Sequence, residues 1–210
     1  MEYGEHPLHF ADLRRADGPV ALVVHGGVWK AEYDLAHMGA LCEALRGAGI
    51  STINVEYRRT GNGGGWPYSL GDVELAIERF RPDVLVGHSA GGHLALLAGK
   101  RTRTPVVAIA AVCDPVSWAN PGVAAFFRGA CPPDGSPLAQ SPLGVRVVLI
   151  HGTADDTVPL EQSERLAAAN DAPVVRLEGA GHFEPVDPQS PEWTSVRDAV
   201  DFLAARSSSD

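Results

Sequence analysis

Cysteine is scarce in this sequence of 210 residues: three are present, widely separated at Cys42, Cys113 and Cys131. An odd, scattered set with no C-x-x-C pair suits a reducing compartment better than a disulfide framework, so the cytoplasm is the expected location. Cys113, at the end of an apolar run, reads as a small buried hydrophobe. Basic residues are also short, 17 Lys and Arg against 26 Asp and Glu, for a net charge of -9. No basic stripe is available to neutralise phosphates, which argues against a nucleic-acid partner. No apolar run approaches a membrane span. The opening MEYGEHPLHFADLRRADG lacks a basic-then-apolar leader, so no membrane partner is expected. Internal repeats, low-complexity tracts and linkers are missing, apart from the polar tail Ser207-Ser208-Ser209-Asp210. His88 and His93 stand near each other without a carboxylate cluster, and no metal site is expected.

What is present is 45% hydrophobic and 20% charged, a globular composition. The length fits one domain over residues 1–210. The N-terminal segment supplies at most one short strand, over Leu8 to Leu13. The unbroken apolar run Val20–Val24 reads as a strand buried on both faces, Pro105–Val112 as another buried strand and Val145–Ile150 as a further strand. Helical patterns fall between them, including Leu35 to Ala48 and a helix capped by Ser69 with Asp72 three residues on. The Gly-rich stretch Gly61–Gly65 reads as a flexible surface loop. Strands and helices alternate throughout. The expected fold is therefore α/β, a mostly parallel sheet of about six strands with helices on both faces. Residues 114–144 are the most irregular part, with one short helix near Val123 to Arg128, and are the candidate for a small lid.

The chain is organised around Gly87-His88-Ser89-Ala90-Gly91-Gly92, which lies between the apolar run Val84–Val86 and the helical run His93–Ala98. This is G-x-S-x-G in the strand-to-helix context of a nucleophile elbow. A serine hydroxyl needs a neighbouring base to become a good nucleophile. A sharp turn lifts it out of the sheet, and Gly87 and Gly91 relieve the crowding that such a turn creates. The competing reading makes Ser89 a plain helix N-cap. In open α/β sheets, ligands bind beyond the carboxyl ends of the strands. Three more features sit there. His25-Gly26-Gly27-Val28-Trp29 can turn unshielded backbone N–H groups towards an oxyanion. His151-Gly152-Thr153-Ala154-Asp155-Asp156 offers a carboxylate to orient a histidine, with Asp155 and Asp156 in competition; an Asx turn is the plainer reading. His151 itself reads as structural, held behind the loop. Gly179-Ala180-Gly181-His182 offers the histidine.

The order Ser89, Asp155, His182 is that of the α/β-hydrolases. With H-G-G-x-W in addition, the chain resembles the esterase/lipase group of that superfamily, from about Val20 to Ala205. It resembles both the hormone-sensitive-lipase-like esterases and the kynurenine formamidase-like enzymes. The resemblance implies Ser89 as nucleophile, His182 as general base and Asp155 as acid, the position that H-G-x-x-D-x-x-V-P gives it. It implies oxyanion donors at the N–H groups of Gly27, Val28 and Ala90, and no metal or organic cofactor. Val55-Glu56-Tyr57-Arg58 resembles a scaffold segment. Val28 stands where the lipase-like group has a third glycine, which favours the formamidase-like branch. The strands and cap that precede the core in larger esterases are largely missing. An open, shallow site follows, with Trp29, Trp118, Phe126 and Phe127 as candidates to line an acyl or aromatic pocket. The implied activity is hydrolysis of a small-molecule ester. The alternatives are an arylformamidase acting on an amide, or a non-catalytic binding protein on the same fold. A homodimer would be one way to shield a site without a cap.

Overall fold

The computed structural model describes residues 1–205. The polar tail Ser207–Asp210 lies outside the described residues. The strands are β1 (Ala11–Arg14), β2 (Val20–Val24), β3 (Ser51–Val55), β4 (Val84–His88), β5 (Val106–Ile109), β6 (Val147–Gly152) and β7 (Val174–Leu177). The helices between and after them are α1 (Gly39–Gly47), α2 (Tyr68–Phe80), α3 (Ala90–Thr102), α4 (Pro121–Phe127), α5 (Glu161–Asn170) and α6 (Thr194–Ala205). A 3-10 turn, Leu35–Met38, precedes α1. Among the described residues no helix is long and apolar enough to cross a membrane.

The strands form one sheet in the order β1-β3-β2-β4-β5-β6-β7. That is seven strands instead of about six. The additional one is β1, which pairs antiparallel with β3 at the sheet edge and begins at Ala11, three residues later than the expected Leu8. All other pairs are parallel. The apolar strands explain the layering. Side chains alternate across a strand, so Leu22, Leu85, Ala108 and Leu149 enter one core while Val23, Val86, Val107 and Ile150 enter the other. Helices α2, α3 and α5 cover the first core, and α1 and α6 the second. The register aligns the carboxyl ends: Val24 pairs with Gly87, His88 with Ile109, Ile109 with Ile150, and Gly152 with Leu177. The loops after β2, β4, β6 and β7 therefore emerge on one edge.

Two local expectations are corrected. Helix α2 starts at Tyr68, and Ser69 does not cap it. The Ser69 hydroxyl is buried, donates to the Arg58 carbonyl at 2.6 Å and accepts from the Gly65 N–H at 3.1 Å. Asp72 is likewise engaged by the Arg58 guanidinium and by His9. Tertiary partners won both side chains from the helix end. The Gly61–Gly65 loop is at the surface only in its first part: Gly61 and Gly63 are exposed, whereas Gly64 and Gly65 are buried and the Gly64 N–H donates to the Arg59 carbonyl at 2.9 Å.

Candidate active site

Ser89 sits in the turn between β4 and α3 with φ 55° and ψ -120°. A non-glycine residue in this region stores on the order of 1–3 kcal/mol of strain and is held there only by its surroundings. The holding groups are visible. The Ser89 N–H donates to the Ile109 carbonyl at 2.9 Å, and its carbonyl accepts from His93 at 3.1 Å. Its hydroxyl makes no capping bond to α3. The N-cap reading of Ser89 is therefore set aside. The two glycines of the turn have no room for a side chain. A Cβ on Gly91 would lie 2.2 Å from the Val24 carbonyl oxygen, and one on Gly87 would lie 2.5 Å from the Gly91 oxygen.

The loop after β2 runs alongside. Gly27, Val28 and Trp29 all have positive φ, at 106°, 52° and 54°. That run turns successive peptide planes away from the sheet. Among the described residues no group accepts from the N–H of Gly27, Val28 or Ala90. Ala90 is the first residue of α3, so its free N–H adds to the positive end of the helix dipole. Beneath the loop lies a buried polar network. His25 Nδ1 donates to the Gly26 carbonyl at 2.8 Å, and the Tyr57 hydroxyl donates to the His25 carbonyl at 2.8 Å. Arg59, paired with Glu56, donates to His25 Nε2 at 3.2 Å. Burial, reinforced by the Arg59 charge, lowers the His25 pKa to about 3, so the ring is neutral.

Asp155 and His182 meet across the ends of β6 and β7. His182 Nδ1 lies 2.7 Å from Asp155 Oδ2. A carboxylate only accepts, so Nδ1 carries the hydrogen and Nε2 keeps a free lone pair. Asp155 Oδ1 accepts from the N–H groups of Thr157 and Val158 at 2.8 and 2.9 Å. His151 Nε2 approaches Oδ2 at 3.2 Å, and its Nδ1 meets the Ser163 hydroxyl at 2.8 Å behind the loop. Burial alone would raise the Asp155 pKa. The hydrogen bonds from His151 and His182 outweigh it and hold the carboxyl well below the usual carboxylate range. Asp156 is exposed and, among the described residues, accepts a hydrogen bond only from the Thr157 hydroxyl. The His182 main chain is in turn joined to the elbow, because His88 Nε2 donates to its carbonyl at 3.0 Å. Ser89 and His182 are both buried, at 3% and 5% exposure, and no hydrogen bond joins their side chains.

The family model described as the alpha/beta hydrolase family matches residues 21–140, more than half of the chain. The chain belongs to the alpha/beta hydrolase family. Among its curated relatives is Esterase LipC of Mycobacterium tuberculosis, 28% identical over 238 residues. That match covers 86% of this chain, which spans 58% of the relative's length. Solved structures share the fold. A truncated carbohydrate esterase from gut microbiota superposes with a TM-score of 0.81 at 21% identity, covering 98% of this chain and 95% of that one. Esterase B from Lactobacillus rhamnosis, inhibited by a tributyrin phosphonate, gives a TM-score of 0.77 at 19% identity, covering 99% of this chain and 85% of that one.

The fold places the remaining candidates less simply. Trp29, Trp118, Phe126 and Phe127 do come together, but in the core instead of on an open pocket. Trp29 and Phe126 are fully buried and stacked at 4.5 Å, with Phe127 and Trp118 edge-on at 6.3 Å from Trp29. The physical reason is the positive φ of Trp29 together with four large rings that can bury one another. Residues 114–144 pack on the side of the loop after β2. A Cβ on Gly122 of α4 would clash with the Val28 side chain at 2.1 Å, and the Trp66 N–H donates to the Phe126 carbonyl at 2.9 Å. The exposed aromatics nearest the site are others. Tyr33, 51% exposed, lies over Gly27, and Phe183, 56% exposed, stands edge-on to His182 with ring centres 5.0 Å apart. A hollow of about 750 Å³ between α2 and α3, lined by Glu74, Glu78 and Arg101 among others, contains none of these residues. The sequence marks His88 only as no metal ligand and Glu56 only as part of a scaffold segment, and gives His37 and Arg59 no role. Only their closeness to the motifs could have signalled them.

Proposed function

We propose that this protein is a serine esterase that hydrolyses small carboxylic esters through an acyl-enzyme. The observation that carries the reading is the 2.7 Å hydrogen bond between His182 and Asp155, in a loop whose main chain is bonded to the residue before Ser89. With Nδ1–H held by Asp155, His182 Nε2 is the free base. It takes the Ser89 proton as the Ser89 oxygen attacks the ester carbonyl. The new O⁻ is held by the N–H groups of Gly27, Val28 and Ala90; one such donor lowers a barrier by about 3–4 kcal/mol. His182 then gives its proton to the leaving alcohol. Water enters, loses a proton to the same nitrogen and adds to the acyl carbon; His182 then returns that proton to the departing Ser89 oxygen, which frees the acid and restores both residues. No step needs a metal or organic cofactor. Asp155 stays ionised at working pH and stabilises the imidazolium that forms twice per cycle. Small esters fit a site bordered by exposed Tyr33 and Phe183 and not enclosed by a cap.

The esterases among its relatives favour the ester over the formamide as substrate. The test measures kcat/KM for p-nitrophenyl acetate and N-formylkynurenine side by side, with Ser89→Ala as the blank. The ester is expected to turn over faster, and Ser89→Ala to lose at least about 10³-fold. Faster formamide turnover would replace the substrate class. Equality with the blank, together with no labelling by a serine-directed phosphonate, would leave a binding protein.

A further inference from the structure

His88 takes no part in the acyl transfer described above, yet it lies buried between two other histidines. Its Nε2 is 3.0 Å from the main-chain carbonyl oxygen of His182, and its Nδ1 is 2.9 Å from Nε2 of His37. A carbonyl only accepts, so His88 Nε2 carries a hydrogen. In the neutral ring Nδ1 then has only a lone pair, and His37 Nε2–H is the donor that satisfies it. One carbonyl thus fixes the tautomers of both rings. A protonated His88 would set N–H against N–H. Burial, with His182 and His37 as the next contributors, holds His88 well below the usual histidine range. Burial, followed by His25 and His182, lowers His37 to about 4. The other charge acting on His88 is Asp155, which works in the opposite direction. Phe183 shields the group, its ring centre lying 5.8 Å from that of His88 and 5.9 Å from that of His37.

We infer that His37 and His88 form a strut of two neutral imidazoles that positions the base. The donor on the nucleophile's own neighbour grips the main chain of His182, and His37 keeps that donor on the correct nitrogen. The inference rests on the reading of Ser89 and His182 as nucleophile and base. Three separate segments are joined: the 3-10 turn before α1, the end of β4 and the loop after β7. That loop contains Gly179 and Gly181, so little else in its own sequence stiffens it. Setting it by one bond from residue 88 sets the height of the His182 ring over Ser89 directly. A displacement of about 1 Å between reacting groups can slow a reaction roughly 100-fold. His88 and His37 are therefore positioning residues and touch no substrate.

The test combines esterase kinetics with the ¹⁵N signals of the histidine rings in the full chain. Wild type is expected to show the neutral Nε2–H pattern for both His37 and His88 from pH 8 down to about 5.5, since ordinary histidines titrate near 6.5. His88→Phe is expected to lower kcat on p-nitrophenyl acetate roughly 30- to 100-fold with KM within about twofold. His88→Gln, which keeps an N–H near the Nε2 position, should recover much of that loss. His37→Phe should cost roughly 3- to 10-fold, and the double variant should be no slower than His88→Phe alone. Additive losses, an effect confined to KM, or an Nδ1–H pattern at His88 would overturn the strut. If His88→Phe does not fold, His37→Phe and the wild-type ring pattern decide it. Should Ser89→Ala match wild type, the esterase reading falls, while the tautomer pattern still reports on the strut by itself.

Discussion

Asp155 and Asp156 are adjacent in sequence and opposite in circumstance. The Asp155 side chain is fully buried and has both oxygens occupied, Oδ1 by two backbone N–H groups and Oδ2 by two histidines. Asp156 faces solvent. Asp155→Asn is expected to lower kcat by on the order of 10³–10⁴-fold with the fold retained, because an amide leaves His182 with the wrong nitrogen protonated. Asp156→Asn should stay within about twofold, as surface changes away from such features usually do. Parallel kinetics of the two variants check this, and a reversed order would move the acid by one residue. The residues alone leave this pair open, and the reason is physical. The Asx-turn reading and the orienting-carboxylate reading compete on paper, yet Asp155 satisfies both at once, one with each oxygen. His182 is legible for a different reason. Glycines on either side of Ala180 and a helix start just beyond mark a loop built to place one side chain.

Elements carry the same lesson in backbone terms. The elbow between β4 and α3 is readable because its glycines have a steric purpose. Gly91→Ala would push a Cβ to within 2.2 Å of the Val24 oxygen and 2.3 Å of the His25 oxygen, neither of which can move without breaking the β2 end. A loss of about 3 kcal/mol or more is expected, roughly 6–12 °C in Tm for a chain of this size. Gly71→Ala is the contrast. It lies in α2, with no neighbouring atom within 4 Å of where the new methyl group would stand, and should hold Tm or raise it. Thermal melts of the two variants by circular dichroism test the assignment; a harmless Gly91→Ala would mean that the strand end yields. The start of α2 departs from expectation because Ser69 and Asp72 have the right spacing for a capping box but are claimed by Arg58. A helix-end pattern gives no warning of a partner that arrives from another part of the chain. The edge strand β1 starts later than its residues suggest for a related reason. Its limits are set by pairing with β3, not by its own residues.

Across the whole molecule the two-core sheet follows from alternating apolar strands, whereas the fate of the aromatics does not. An aromatic ring in an irregular segment does not announce which way it faces, and the four expected in a pocket close on one another instead. The histidines give the molecule a pH response. His25, His37, His88 and His93 all have pKa values lowered first by burial, to about 3 for His25 and about 4 for His37 and His93. The unfolded chain binds their protons near pH 6.5 and the folded one does not. Stability is therefore complete above that pH and falls as pH drops from there towards 4, by up to about 1.4 kcal/mol per pH unit for each ring. Asp155 acts only lower still, where its carboxyl would protonate in the unfolded chain. Tm measured from pH 8 to pH 4 is expected to be flat and then to descend below about 6.5. A plateau reaching pH 4 would contradict the neutral assignment of these rings. The sheet itself has a further consequence. Ser89 follows β4, buried along its whole length near the middle, while His182 follows β7, a partly exposed strand at the margin. Margins fray before centres do. A warmed sample should thus fall silent as a catalyst several degrees before its circular dichroism changes, and should recover on cooling from that interval, its working parts having come apart one strand ahead of its body.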